Sequence, residues 1–155
     1  MVHGLGHFGI LLIIIFDEMI SKKTKYGLKA LGYLAERYGS GPVLIAEIAA
    51  KKNIPIKFLE SILLHLKNNQ ILESKKGKGG GYYLTNNPKK ITLAAALRII
   101  EGPIALLPCV SLNFYQKCED CDEAICGLNN VMKSARDATL KVFEKKTLAD
   151  LIDVY

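Results

Sequence analysis

The sequence lacks the features that mark a membrane protein or an enzyme. Its longest apolar run, residues 8–16, is about half the length that spans a bilayer, and no lysine or arginine precedes it. It has no Gly-x-x-x-x-Gly-Lys-Ser/Thr loop, no Ser/His/Asp set and no pair of carboxylates in an apolar setting. We therefore predict a protein with no membrane partner and no enzymatic activity.

The first eighteen residues differ from the rest of the chain. Met19 opens a lysine-rich, helix-forming segment, whereas residues 1–18 are apolar and lack a small-residue cleavage site. We expect residues 1–18 to be an apolar leader that is non-native or arises from an upstream start codon. The alternative is a short apolar element that packs on the domain or on a partner.

Acidic residues are scarce in the first half of the chain. Residues 19–90 hold fourteen lysines and arginines against four acidic residues, and residues 91–155 hold seven against nine. A basic half favours a polyanionic partner, because lysines near phosphates release condensed counterions. A solvated lysine-rich face is the alternative.

Apolar spacing predicts three helices in this basic half. The first spans residues 21–38 with Ser21 as its N-cap, and the second spans residues 45–52. Pro55 suits the first turn of a third helix, whose apolar residues recur at i, i+3, i+4 and i+7. Two short helices joined by a few residues are typical of a helix-turn-helix.

A glycine-rich basic segment follows the third helix. Residues 71–76 and 82–84 predict two strands, and the glycines between them allow a turn with positive φ. A basic hairpin directly after a candidate recognition helix is typical of a wing. A nucleotide-binding loop is disfavoured because Tyr82 occupies the last glycine position of the dinucleotide fingerprint.

The second half predicts a helix over residues 92–101, a cysteine-containing loop, a long helix over residues 128–145 and a short tail helix capped by Thr147. One apolar stripe runs along the long helix and is too long for so small a domain to cover. Its members are Leu128, Val131, Met132, Ala135, Ala138, Thr139 and Val142. We expect a second copy to cover it, giving a homodimer.

All four cysteines lie within eighteen residues, at Cys109, Cys118, Cys121 and Cys126. This clustering favours a reducing cytoplasm and a metal or thiol site over a disulfide framework. Four thiolates suit an iron–sulfur cluster, which we expect, or a structural zinc ion. A thiol switch in which Cys118 and Cys121 form a disulfide is the third alternative, although four neighbouring carboxylates are expected to raise the pKa of these thiols.

The order of these motifs resembles the bacterial winged helix-turn-helix regulators of the IscR, NsrR and CymR type. The resemblance rests on KYGLKALGYLA at residues 25–35, IAEIAAKKNIPIKFLESILLHLK at residues 45–67, GKGGGYYL at residues 77–84 and ITLAAALRIIEG at residues 91–102. It implies a mainly α fold with a small β-hairpin. It also implies a homodimeric transcriptional regulator that binds palindromic double-stranded DNA.

The resemblance divides the chain into a leader (1–18), a winged helix-turn-helix domain (19–102), a cysteine-containing sensor loop (103–127) and a dimerisation helix with its tail (128–155). We take as DNA-binding candidates Lys22, Lys23, Lys25, Pro55, Lys57, Glu60, Ser61, His65, Lys75, Lys76, Gly77, Lys78 and Gly79. His65 is expected to be a polar helix residue and not a metal ligand.

The chain departs from the family pattern at the cysteine site and in the wing. Cluster-bearing members of the family use three cysteines and one further ligand. In the IscR type this ligand is a histidine just beyond the third cysteine, but here no histidine follows His65. In the NsrR type it is an aspartate in the first helix, but here Lys25 occupies that position. Cys121 is an additional cysteine that can replace the missing fourth ligand, giving an all-cysteine site in one chain. In the wing, Lys76 stands where an arginine is common, so the DNA sequence preference is expected to differ.

Overall fold

The computed structural model of the protein describes residues 20–152. The predicted leader and the last three residues lie outside this range. The described part contains α1 (Lys22–Glu36), α2 (Ile45–Lys52), α3 (Ile56–Asn68), β1 (Leu72–Lys75), β2 (Gly81–Leu84), α4 (Leu93–Ile100) and α5 (Gly127–Lys145). Within residues 20–152, no helix is both long and apolar enough to cross a membrane. The predicted mainly helical chain with one hairpin is confirmed.

Helix α1 begins at the predicted cap. The Ser21 hydroxyl accepts a hydrogen bond from the Thr24 backbone N–H at 3.2 Å, which satisfies one of the free donors of the first turn. The helix ends at Glu36, and Gly39 follows with φ +82°. The helix is therefore slightly shorter than the predicted 21–38, because residues 37–39 form a turn instead of continuing the helix.

Helices α2 and α3 form the predicted helix-turn-helix. Asn53 takes the left-handed conformation that ends α2, and Pro55 precedes the first residue of α3. The predicted apolar stripe of α3 is buried, with exposures of 1% or less at Leu59, Ile62, Leu63 and Leu66. This stripe joins α3 to the core and leaves its other face exposed.

The two strands form the predicted antiparallel hairpin, with Leu72 opposite Leu84 and Lys75 opposite Gly81. Leu72 and Leu84 are buried, so the base of the hairpin belongs to the core. The turn at its tip lies outside the core. Tyr82 of β2 also forms an isolated antiparallel bridge with Val43, which belongs to the segment that leads into α2.

The end of the chain returns to the N-terminal elements. The predicted short tail helix is instead a 3₁₀ turn over Leu148–Leu151, which begins after the predicted cap residue Thr147. Leu148 is fully buried in the core cluster that includes α1 and α3. A Cβ on Gly32 of α1 would lie 2.8 Å from the Leu151 carbonyl oxygen, so the glycine permits the close approach of the tail.

Candidate nucleic-acid interface and cysteine loop

The exposed face of α3 presents polar side chains of both charges. Lys57 and Glu60 are exposed, and their charged groups lie 3.6 Å apart. Ser61 is also exposed, and its hydroxyl donates to the Phe58 carbonyl oxygen at 2.8 Å. Pro55 is exposed just before the helix. The structure therefore places these four sequence-predicted residues on one accessible surface.

The wing presents its lysines to solvent. Lys75, Lys76 and Lys78 are exposed, as are Gly77 and Gly79 between them. Both glycines have positive φ, +85° and +73°, which side chains rarely adopt. The turn therefore concentrates positive charge at a tip whose backbone can approach a phosphate closely.

The lysines at the start of α1 are not equivalent. Lys22 and Lys25 are exposed, whereas Lys23 is half-buried. Lys22 lies one turn before Tyr26, whose ring packs edge-on against Phe58 of α3 at 5.7 Å between centroids. The start of α1 is therefore near the start of α3.

His65 is held against the neighbouring helix α4. It is half-buried, and its Nε2 lies 2.8 Å from the carbonyl oxygen of Ile99 in α4. A protonated Nε2 donates to that oxygen. His65 thus links α3 to α4, which fits the expectation that it is a polar helix residue.

The cysteine loop gathers three of its thiols. Cys121 lies within hydrogen-bond reach of both Cys118 and Cys126, and Cys109 is buried nearby in a separate turn. In residues 20–152, however, no group of three or more His, Cys, Asp or Glu side chains is arranged to hold a metal ion. The thiols are close together but do not converge on one point.

Two of these thiols have opposite pKa shifts. Hydrogen bonds with Cys118 and then with Cys126 raise the pKa of Cys121 to about 12. The pKa of Cys126 is lowered, mainly by the backbone N–H of Asn129 and then by Cys121. The pKa of Cys121 is raised, as expected for the Cys118 and Cys121 pair, but neighbouring thiols cause the rise and not carboxylates. The pKa of Cys126 falls because its sulfur accepts an N–H at the start of a helix.

The cysteine loop is joined to the first half of α5. Cys126 is the N-cap of α5, and its sulfur accepts from the Asn129 N–H at 3.4 Å. Arg136 lies two turns further along and donates through Nη1 to the Val110 carbonyl oxygen at 2.5 Å. The loop is therefore attached to α5 at two points, through Cys126 and through Val110.

Helix α5 leaves much of its predicted stripe uncovered in the single chain. Leu128, Val131 and Val142 are exposed by 58%, 61% and 55%. Leu140, which lies outside that stripe, is buried against the rest of the chain. The exposed stripe is consistent with the expected contact between two copies.

Sequence reasoning missed two contacts at the site. Asn129 is buried to 1% exposure, and its side-chain Nδ2 donates to the Cys109 sulfur at 3.5 Å. Its position three residues after Cys126 was the available signal. The second contact is the bridge between Val43 and Tyr82, for which Gly81 was a signal because a backbone approaches it closely.

Comparison with known proteins supports the predicted class of protein. Residues 20–154 match the Rrf2 family model, described as "Iron-dependent Transcriptional regulator". An rrf2-like HTH-type transcriptional regulator of Rhodobacter capsulatus is 40% identical over 138 residues, covering 86% of this chain and 92% of that protein.

Solved structures of two regulators share the fold. CymR of B. subtilis, described as a global cysteine regulator, is 32% identical with a TM-score of 0.71, covering 85% of this chain and 94% of that one. IscR of T. potens is 26% identical with a TM-score of 0.67, covering 85% and 84%. The predicted winged helix-turn-helix fold is confirmed, as is the prediction that the protein is not an enzyme. The chain belongs to the Rrf2 family of transcriptional regulators.

Proposed function

We propose that the protein is a cytoplasmic homodimer that binds palindromic double-stranded DNA and responds to an iron–sulfur cluster in its cysteine loop. The observation that carries this proposal is the placement of α5. Its N-terminus is capped by Cys126, and the tail that follows it is buried against α1 through Leu148. A change in the loop can therefore reach the DNA-binding elements through one helix.

The DNA-binding part of the proposal is supported by the exposed α3 face and the wing. The α3 face offers a cation, a carboxylate and a hydroxyl, which suit base edges, and the wing offers three exposed lysines. Lys57 and Glu60 form a weak exposed ion pair in the single chain, which DNA can replace. The helix would read bases while the wing contacts phosphates.

The dimer part is supported by the uncovered stripe on α5. A cavity of about 370 Å³ adjoins it, and Ala135 and Thr139 of the stripe contribute to its lining. Burying the stripe against a second copy would remove exposed apolar surface from water. A two-fold dimer would also place two α3 helices on successive major grooves, which is why a palindromic operator is expected.

The donor set of the cysteine loop fits a thiophilic group. Cys109, Cys118, Cys121 and Cys126 would hold the cluster, which supplies a redox-sensitive charge when bound. Three of the thiols lie close to one another, and a rearrangement of the loop would be needed to bring all four together around the group. The protein's own contribution is to transmit the order of the loop to α5 through Cys126 and Arg136.

The adjacent thiols also support a second candidate, a regulator with structural zinc or with a thiol switch. Cys121 contacts Cys118 and Cys126, which suits either a tetrahedral zinc site or a disulfide between neighbours. Action through an acidic protein or RNA partner is the remaining alternative to DNA binding.

Two measurements test the proposal. Anaerobic purification followed by visible absorption and by iron and sulfide assays should give a coloured protein that contains both elements. Binding to genomic fragments should select a palindrome, with log K falling steeply against log salt. A colourless, iron-free protein that binds its operator normally would refute cluster control, and weak binding blind to sequence would refute the regulator.

A further inference from the structure

Asn129 contacts two of the four sulfurs in the cysteine loop. Its backbone N–H donates to Cys126 Sγ at 3.4 Å, and its side-chain Nδ2 donates to Cys109 Sγ at 3.5 Å. Cys109 belongs to a 3₁₀ turn over Pro108–Val110, well before Cys126 in the chain. One residue in the first turn of α5 therefore connects both ends of the loop.

The folding of the single chain does not explain an amide at this position. Asn129 is exposed by only 1%, and its Oδ1 is buried with no hydrogen-bond partner among residues 20–152. An apolar side chain of the same size, such as leucine, would avoid the free-energy cost of that unsatisfied oxygen. The bond from Nδ2 to a neutral thiol is weak because a thiol sulfur is a poor acceptor, so it offsets little of that cost.

The hydrogen bond from the Asn129 amide to Cys109 becomes stronger when the cysteine sulfurs are metal ligands. A coordinated thiolate carries more negative charge than a thiol and accepts an N–H more strongly. Hydrogen bonds to the sulfurs also tune an iron–sulfur cluster, and groups around the ligands hold them in place. Asn129 is placed to do both for Cys109 while its backbone holds Cys126.

We propose that Asn129 is a positioning residue for the cysteine loop, which holds Cys109 and Cys126 beside the start of α5 as ligands of one thiophilic group. This inference rests on the proposed function for the group itself. It goes beyond that function by naming Asn129 as the residue that connects the first turn of α5 to the cysteine ligands. Asn129 does not itself need to contact the group.

The test uses the full chain without its cluster and Cd²⁺ alone as the probe. Asn129→Leu should weaken Cd²⁺ binding, followed by sulfur-to-metal absorption, by about 10–100-fold. The thermal unfolding midpoint of the metal-free variant should stay the same or rise. Asn130→Leu changes the exposed neighbour of Asn129 and serves as the matched control, with wild-type affinity expected.

A second readout does not depend on any metal. Alkylation of Cys109, followed by mass spectrometry, should be slow in the wild type, where the thiol is buried, and several-fold faster in Asn129→Leu. Should the leucine variant fail to fold, Asn129→Ala is measured in the same two ways. Unchanged Cd²⁺ affinity together with unchanged alkylation in a folded variant would overturn the role of Asn129.

The two readouts also separate this inference from the proposed function. A wild-type protein that takes up no Cd²⁺ would count against a metal or cluster in the loop. In that case the alkylation rate alone decides the position of Cys109: faster alkylation in the variant supports the holding role, and an unchanged rate overturns it.

Discussion

Val43 and Tyr82 exchange two backbone hydrogen bonds, each of 2.9 Å, although 39 positions separate them. The pair joins the returning strand of the wing to the segment that leads into α2. The wing is therefore fixed at its base to the helix-turn-helix, and only its tip extends into solvent. This relationship sets how the wing lysines are placed relative to α3.

The close approach at this pair predicts the effect of substituting Gly81. A Cβ on Gly81 would lie 2.2 Å from the Val43 carbonyl oxygen, and the residue has φ +148°. Gly81→Ala should lower the free energy of unfolding by about 1–3 kcal/mol more than Gly77→Ala, measured by urea denaturation. Gly77 is the matched control, because its φ is also positive but a Cβ added there would meet no described atom of residues 20–152 within 4 Å. Equal losses would show that Val43 does not restrict Gly81.

The wing lysines predict a change in the salt dependence of DNA binding. Lys76→Ala and Lys78→Ala should each reduce the slope of log K against log salt by about 0.9, because each would remove one phosphate contact. Lys141→Ala on α5 removes the same charge from an exposed helix face and should leave the slope unchanged. The check is fluorescence anisotropy over a salt series with one operator fragment. Equal slopes for all three variants would argue against a wing contact.

Much of the N-terminal half could be predicted because local signals agreed with packing there. Ser21 caps α1, and the four residues of the predicted apolar stripe of α3 are all buried, as their spacing indicated. The position of the tail could not be predicted in the same way. Leu148 packs in the core with α1, although most of the chain separates the two in sequence. No local sequence pattern predicts which surface a short apolar segment will pack against.

The uncovered stripe on α5 predicts a defect in assembly. Val131→Asp would place a charge in the proposed contact between two copies, and the dimer should dissociate to monomers in light scattering at micromolar concentration. Leu44→Asp is the matched control, since Leu44 is 57% exposed and Val131 is 61% exposed. The control should remain dimeric. A dimeric Val131→Asp protein would place the interface elsewhere.

The cysteine site shows where sequence reasoning loses precision. The four cysteines and their grouping are visible in the sequence, but the opposite pKa shifts of Cys121 and Cys126 are not. They depend on which thiol meets a helix N–H and which lies between other thiols. The contact of Asn129 with Cys109 depends on how the loop returns to α5, which no spacing rule supplies.

The start of α1 predicts a dependence of stability on pH. The hydroxyl of Ser21 and then that of Thr24 donate to Glu101, and these bonds hold its pKa below the ordinary 4.5. Since the folded pKa is the lower one, this contribution is present above pH 4.5 and is lost as the pH falls through the folded value. Glu101→Gln should flatten the fall of the thermal midpoint over this acidic range. Glu36→Gln, an exposed control, should retain the wild-type profile, and identical profiles for both would exclude Glu101 as a source.

The buried tail predicts that the end of the chain stabilises the DNA-binding elements. Leu148 has no exposed surface, so Leu148→Ala should lower the free energy of unfolding by about 2–5 kcal/mol through lost burial and the cavity left behind. Leu112→Ala removes the same atoms from a residue that is 62% exposed and should change it by less than about 0.5 kcal/mol. Urea denaturation followed by circular dichroism measures both. If α5 transmits the state of the loop through this tail, Leu148→Ala at a temperature where it stays folded should also reduce the difference in operator affinity between the cluster-containing and cluster-free protein. A stable variant with wild-type regulation would show that the tail does not connect α5 to α1.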